Sequence, residues 1–206
     1  MTPAEDIDMG KPKFAFLLLK EHPYGREMLM QILSEGFIPE LIIEEDSEVG
    51  DEEREKFLQR IQGHQIAPSI QEQANEAGVN VVSVPIHNST EVMPHLEGMD
   101  LDLIVFGGTR IIRGDIPDYP SDGVINSHPG LLPDCRGSAS PAWSVFHDIP
   151  IGSSTHFCDN GIVRAASSDC RCNCSFYCCI QSASGVSSGV ASASLYCFLH
   201  LAVVNH

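Results

Sequence analysis

Asn126 and His128 stand two residues apart in Gly123-Val-Ile-Asn-Ser-His-Pro-Gly-Leu-Leu-Pro133. An amide donor and an imidazole aimed at one point can hold a developing oxyanion and move a proton. The spacing serves that chemistry only if the chain is extended, because alternate residues of a strand share a face. Gly123-Val124-Ile125 reads as the end of a buried strand, a short apolar run bounded by turn residues. Pro129, Gly130 and Pro133 stiffen the exit, which would put the pair on a rigid loop. On spacing alone, the simpler reading is a turn whose Asn and His satisfy nearby backbone groups.

The elements needed to hold such a pair can be read from the chain. Lys13-Phe-Ala-Phe-Leu-Leu-Leu19 suits a first parallel strand. Met28, Leu29, Ile32 and Leu33 recur at helical spacing over Arg26–Ser34, and Gly36 ends that helix. Glu40–Glu44 makes a second strand and closes a βαβ unit. The acidic stretch from Glu44 to Glu55 is expected to be a solvated loop and helix start, with a helix over Glu52–Gln62. Ser69–Ala77 forms a capped helix closed at Gly78, and Val79–Pro85 a strand. Thr90–Leu96 is a weak helix interrupted at Pro94. Leu101–Phe106 is a fourth strand that runs into Gly107-Gly108-Thr109-Arg110-Ile111-Ile112. The two glycines there suit close approach of a ligand or a tight turn equally. Pro141–His147 is expected to be a helix with Trp143 in the core, followed by a strand over Ile151–Phe157. Six strands alternating with helices imply an α/β, doubly wound, mostly parallel sheet with ligands at its C-terminal edge.

Composition narrows the possibilities. The 206 residues are 43% apolar and 19% charged, enough for a substantial core. A formal net charge of −16 argues against a DNA-binding surface. Residues 1–12 read as an acidic extension without a basic or apolar leader, so the expected location is cytoplasmic, with no membrane partner. Cys170, Cys172, Cys174, Cys178, Cys179 and Cys197 crowd the tail, but not at the paired spacing of zinc modules, and no metal site is expected. Val190–Val204 is too short and too polar to span a bilayer.

Asn126-Ser-His-Pro-Gly-Leu-Leu-Pro133, followed by Arg136-Gly137, resembles the active-site signature of the folate-dependent formyltransferases. That family includes glycinamide ribonucleotide, methionyl-tRNA and sugar-nucleotide formyltransferases. Ser153-Ser-Thr-His-Phe-Cys-Asp-Asn-Gly161 follows where the family has a T-x-H-x-x-D-x-G segment. The resemblance covers about Lys13 to Ile162, so residues 13–162 read as the catalytic domain. It implies the Rossmann-like formyltransferase fold, 10-formyltetrahydrofolate as donor and an amine as acceptor. It also implies that Asn126 and His128 donate to the oxyanion, with His128 shuttling a proton. Gly108, Thr109, Arg110, Ile111 and Ile112, with Phe157, Cys158, Asp159 and Gly161, would line the folate pocket.

Departures from the family pattern shape the remaining expectations. The segment Lys20-Glu-His-Pro-Tyr-Gly-Arg26 has one glycine where the glycinamide ribonucleotide enzymes have a Gly-rich phosphate loop. No basic carboxyl-terminal domain is evident, so a tRNA acceptor, though open, is unsupported. Val163 stands where the family has a catalytic Asp, which implies weakened turnover. Residues 163–206 are Ser-, Ala- and Cys-rich without a family pattern. They read as translated intron or shifted frame in place of the last strand and helices, leaving an open sheet edge beside the site. The rival readings are a non-catalytic folate- or acceptor-binding protein and a mis-spliced product without stable function.

Overall fold

A computed structural model of the chain describes residues 11–61, 63–137 and 140–158. Its six-stranded sheet comprises β1 (Phe14–Leu19), β2 (Leu41–Glu45), β3 (Val81–Val84), β4 (Leu103–Phe106), β5 (Gly123–His128) and β6 (Ser154–Cys158). The order is β3-β2-β1-β4-β5-β6; the first five strands are parallel and β6 runs antiparallel to β5. Apolar runs make the central strands buried on both faces, as parallel strands covered by helices must be. One core joins Phe14, Phe16 and Leu18 to Met28, Leu29 and Ile32 of α1 (Pro23–Ser34) and to Ile70 and Ala74 of α3 (Ile70–Ala77). The opposite core joins Ala15, Leu17 and Ile43 to Val92 and Leu96 of α4 (Ser89–Leu96), with Ile112 and Ile116.

Local signals set most boundaries. Ser69 and Glu72 form a reciprocal capping box on α3, and Gly78 closes it in the left-handed conformation. α1 begins three residues before the expected Arg26, because Pro23 occupies the first turn and His22 Nδ1 caps the Tyr24 amide at 3.2 Å. α4 runs through Pro94 without interruption, although the ring removes the bond to the Thr90 carbonyl and crowds it.

Two expectations are corrected. Glu44 and Glu45 are not solvated: they are strand residues of β2, only 7% and 1% exposed. Helix α2 (Glu48–Arg60) begins just beyond, capped by Ser47. Trp143 is not core; it is half exposed on α5 (Ser140–Phe146). The inner face of α5 belongs instead to Ser140 and Ser144, where Ser144 Oγ donates to Cys135 Sγ at 3.2 Å. A stripe of small hydrogen-bonding residues at i and i+4 turns the tryptophan outward.

The expectations for Asp159, Gly161, Val163, the cysteine-rich tail, Val190–Val204 and the acidic extension up to Gly10 lie outside the described residues. Among the described residues, no helix is long and apolar enough to cross a membrane.

Candidate active site

Asn126 and His128 close β5, and the extended backbone puts both on the face that carries Val124 into the second core. Antiparallel pairing sets His156 opposite Asn126 and Ser154 opposite His128. Four polar side chains on two adjacent strands therefore share one face at the C-terminal end of the sheet.

The hydrogen bonds fix how each group is presented. A carbonyl can only accept, so His156 carries its proton on Nδ1, which donates to the Phe157 carbonyl at 3.1 Å. His156 Nε2 is then an acceptor and takes one hydrogen of Asn126 Nδ2 at 3.3 Å. That contact orients the Asn126 amide and leaves its second hydrogen without a partner among the described residues. His128 donates from Nε2 to the Cys135 carbonyl at 2.9 Å, with Ser140 Oγ at 3.0 Å beside the same nitrogen. The Ser140 hydroxyl itself donates to the Gly137 carbonyl at 2.7 Å. Neutral His128 therefore offers a lone pair at Nδ1, a proton acceptor and not the oxyanion donor that the resemblance implies.

Burial is the main force on both imidazoles. It lowers the pKa of His128 below the ordinary histidine value, against the opposing pull of the Cys135 carbonyl, and the neighbouring His156 lowers it further. Burial likewise lowers His156, partly offset by the Phe157 carbonyl. Both rings are neutral at pH 7.

The loop leaving β5 is stiff for identifiable reasons. Ser154 Oγ accepts from the Leu132 amide at 3.0 Å and donates to the Gly130 carbonyl at 2.9 Å. A Cβ on Gly130 would meet the Cys135 carbonyl oxygen at 2.8 Å and His128 Nε2 at 3.0 Å, so only glycine lets the loop fold back on the ring. Leu132-Pro133 is a cis peptide.

The other expected site residues divide into two groups. Gly108 to Ile112 lie in the loop after β4, at the same end of the sheet as Asn126. Gly107 is required by packing, since a Cβ would meet the Phe16 ring at 2.1 Å, and Gly108 has φ +87°. The backbone groups of residues 109–113 make no hydrogen bond to other described residues, and all of these residues except Ile112 are at least partly exposed. Ile111 is 63% exposed and Ile112 is buried. Phe157 and Cys158 are on β6, which runs antiparallel and pairs them with Ile125 and Val124. Cys158 is packed in the second core, the same core that holds Ile112 of the β4 loop.

The cationic side chains around the turn after β1 already have partners. Lys20 pairs with Asp46 at 2.6 Å, and Arg26 pairs with Glu21 at 3.5 Å and donates to the Ala67 and Pro68 carbonyls. Arg54 donates to the Lys20 carbonyl at 3.1 Å. The α1 N-terminus, where a doubly wound fold usually meets phosphate, is taken by His22 and Pro23.

Sequence reading places His156 and Ser154 in the family-like segment but gives them no role, and it does not mark Ser140 or Glu45. For the first two a signal existed: Ser154-x-His156 alternates in a strand as Asn126-x-His128 does. Nothing local marks Ser140 or Glu45, whose site partners His128, His87 and Arg110 come from other elements.

No protein-family model matches the chain. It is 31% identical over 159 residues to the methionyl-tRNA formyltransferase of Ruminiclostridium cellulolyticum, covering 76% of this chain and 45% of the relative. The chain thus spans under half the length of that curated relative. Among solved structures, the phosphoribosylglycinamide formyltransferase of Anaplasma phagocytophilum superposes with a TM-score of 0.57 at 16% identity, covering 91% of this chain and 84% of that one. A sugar N-formyltransferase from a Shewanella species superposes with a TM-score of 0.52 at 15% identity, covering 92% and 68%. These structures share the fold, and the sequence relative shares residues across most of that fold. Over most of its described residues the chain is therefore similar in sequence to a methionyl-tRNA formyltransferase and similar in fold to glycinamide ribonucleotide and sugar formyltransferases, which together support a folate-dependent formyltransferase family.

Proposed function

We propose that this domain transfers a formyl group from 10-formyltetrahydrofolate to an amine, with Asn126 and His128 as its catalytic residues and a cytoplasmic setting. The observation that carries the reading is the pair itself: an amide with one hydrogen and an imidazole with one lone pair unpartnered among the described residues, two positions apart on one face of β5. The attacking amine adds to the formyl carbon, and the carbonyl electrons move onto oxygen. The second Asn126 hydrogen meets the oxyanion. His128 Nδ1 takes the proton from the amine and returns it to the leaving nitrogen of the folate as the C–N bond breaks. His156 holds the Asn126 amide in the donating orientation. The open backbone of residues 109–113 offers hydrogen bonds to the donor's heterocycle. Asp159 and Gly161 remain proposed pocket residues on the resemblance alone, as do Phe157 and Cys158, and residues 163–206 remain proposed as a non-family tail.

The relative that the chain resembles in sequence acts on methionyl-tRNA, but the paired cations after β1 favour an acceptor held without its phosphates. Inorganic phosphate at millimolar concentration should therefore leave the rate unchanged.

Because His128 must be neutral to take a proton, and burial lowers its pKa, the acid-side inflection of the transfer rate should lie below that of an ordinary histidine. A pH–rate profile measured with enzyme in excess of donor tests this. An inflection at or above 6.5 would remove His128 from the base role.

A further inference from the structure

Glu45, the last residue of β2, is 1% exposed, on the same sheet face as Asn126 and His128. It stands three strands away from them, about 14 Å at ordinary strand spacing. Both of its oxygens are occupied. Oε1 accepts from Ser47 Oγ at 2.8 Å and from Arg110 Nε at 2.9 Å; Oε2 accepts from the His87 amide at 2.9 Å. These donors come from the segments after β2, β3 and β4, so one carboxylate ties three loops together at the edge where ligands enter. A buried carboxylate is costly unless its charge and lone pairs are answered, which commits Arg110 to this place.

That commitment matters for the loop carrying Arg110. Residues 109–113 have no backbone hydrogen bond to other described residues. Their course is set by two side-chain anchors: Arg110 on Glu45, and Ile112 buried in the second core. Ile111 lies between the anchors and projects outward. Arg110 and Ile111, with Ile86, His87 and Asn88, also wall a cavity of about 340 Å³ beside the clasp.

We infer that Glu45 is a positioning residue, clasping Arg110 so that the loop over residues 109–113 is preformed to receive the folate donor. Arg110 then acts on the donor through the loop's shape and not as its cationic contact. The inference rests on the formyl-donor reading.

Three variants of the full chain test it: Glu45→Gln, Arg110→Met and the double variant. Glu45→Gln keeps the shape and removes the charge. The KM for 10-formyltetrahydrofolate should rise about tenfold while kcat falls less than about threefold. Arg110→Met should do the same, and the double variant should be no worse than either single change, as expected of partners in one contact. Independently of folate, trypsin cleavage after Arg113 should quicken about tenfold in Glu45→Gln, with cleavage at exposed Lys56 unchanged as a check on global unfolding. Should Glu45→Gln fail to fold, Arg110→Met carries both readouts. Additive effects on KM, or unchanged KM with unchanged cleavage, would overturn the clasp. A wild-type chain that binds neither donor nor tetrahydrofolate would end the donor reading; quickened cleavage would then still support the loop clasp, and unchanged cleavage would sink both.

Discussion

Asn126→Ala should lower the single-turnover rate of formyl transfer by about 10²–10³ while leaving tetrahydrofolate affinity within about threefold. The reason is geometric. One Asn126 hydrogen is held by His156 at 3.3 Å, and the other, at the end of β5, has no partner among the described residues. Alanine removes a donor that matters most when charge develops on the formyl oxygen, so the loss should fall on the rate and not on ground-state binding. Rates under enzyme excess, paired with titration calorimetry, measure the two effects separately. Equal losses in rate and affinity would make Asn126 a structural residue. Loss of neither would remove it from the mechanism.

The second large effect is on stability in acid. Burial, helped by the nearby Arg54 charge, lowers the pKa of His22 to about 4. Burial also lowers His87, His128 and His156. The unfolded chain takes up these protons near 6.5 and the folded chain does not, so their contribution is full above 6.5 and is lost as pH falls. For His22 alone the loss between pH 7.5 and 5 is about 2 kcal/mol. Protonation would also cost the helix cap, since His22 Nδ1 accepts from the Tyr24 amide. Relief of the net charge of −16 works the other way, but chiefly lower, where the carboxylates titrate. Urea unfolding at the two pH values should show the fall. His22→Asn, which caps as well without titrating, should lessen it by about that amount. Stability unchanged or higher at pH 5 would mean that these histidines are charged in the folded state.

Much of this architecture was legible because it depends on neighbours in the chain. The apolar runs of β1 and β4 mark buried parallel strands, and the Ser69–Glu72 box with Gly78 marks α3 to the residue. The period of two in β5 put Asn126 and His128 on one face before any coordinates. What was not legible depends on partners far along the chain. Glu45 sits among acidic residues that look solvated, and the cation that answers its buried charge, Arg110, is 65 positions on. Trp143 looks like core by composition, yet Ser140 is needed against His128 and Ser144 against Cys135, which leaves the indole outside. The direction of the His128 proton is likewise invisible locally, because it is set by the carbonyl of Cys135 across the loop.

The most direct test of the account is transfer itself. The purified chain, in excess over 10-formyltetrahydrofolate labelled in its formyl carbon, is incubated with a panel of small amines, amino sugars and methionyl-tRNA. Labelled formamide product is then followed against an enzyme-free control. The account predicts labelled product from at least one amine, faster than the control and reduced by about two to three orders of magnitude in Asn126→Ala. Product formed no faster than in the control with every amine, or at the same rate by the chain and by Asn126→Ala, would contradict it.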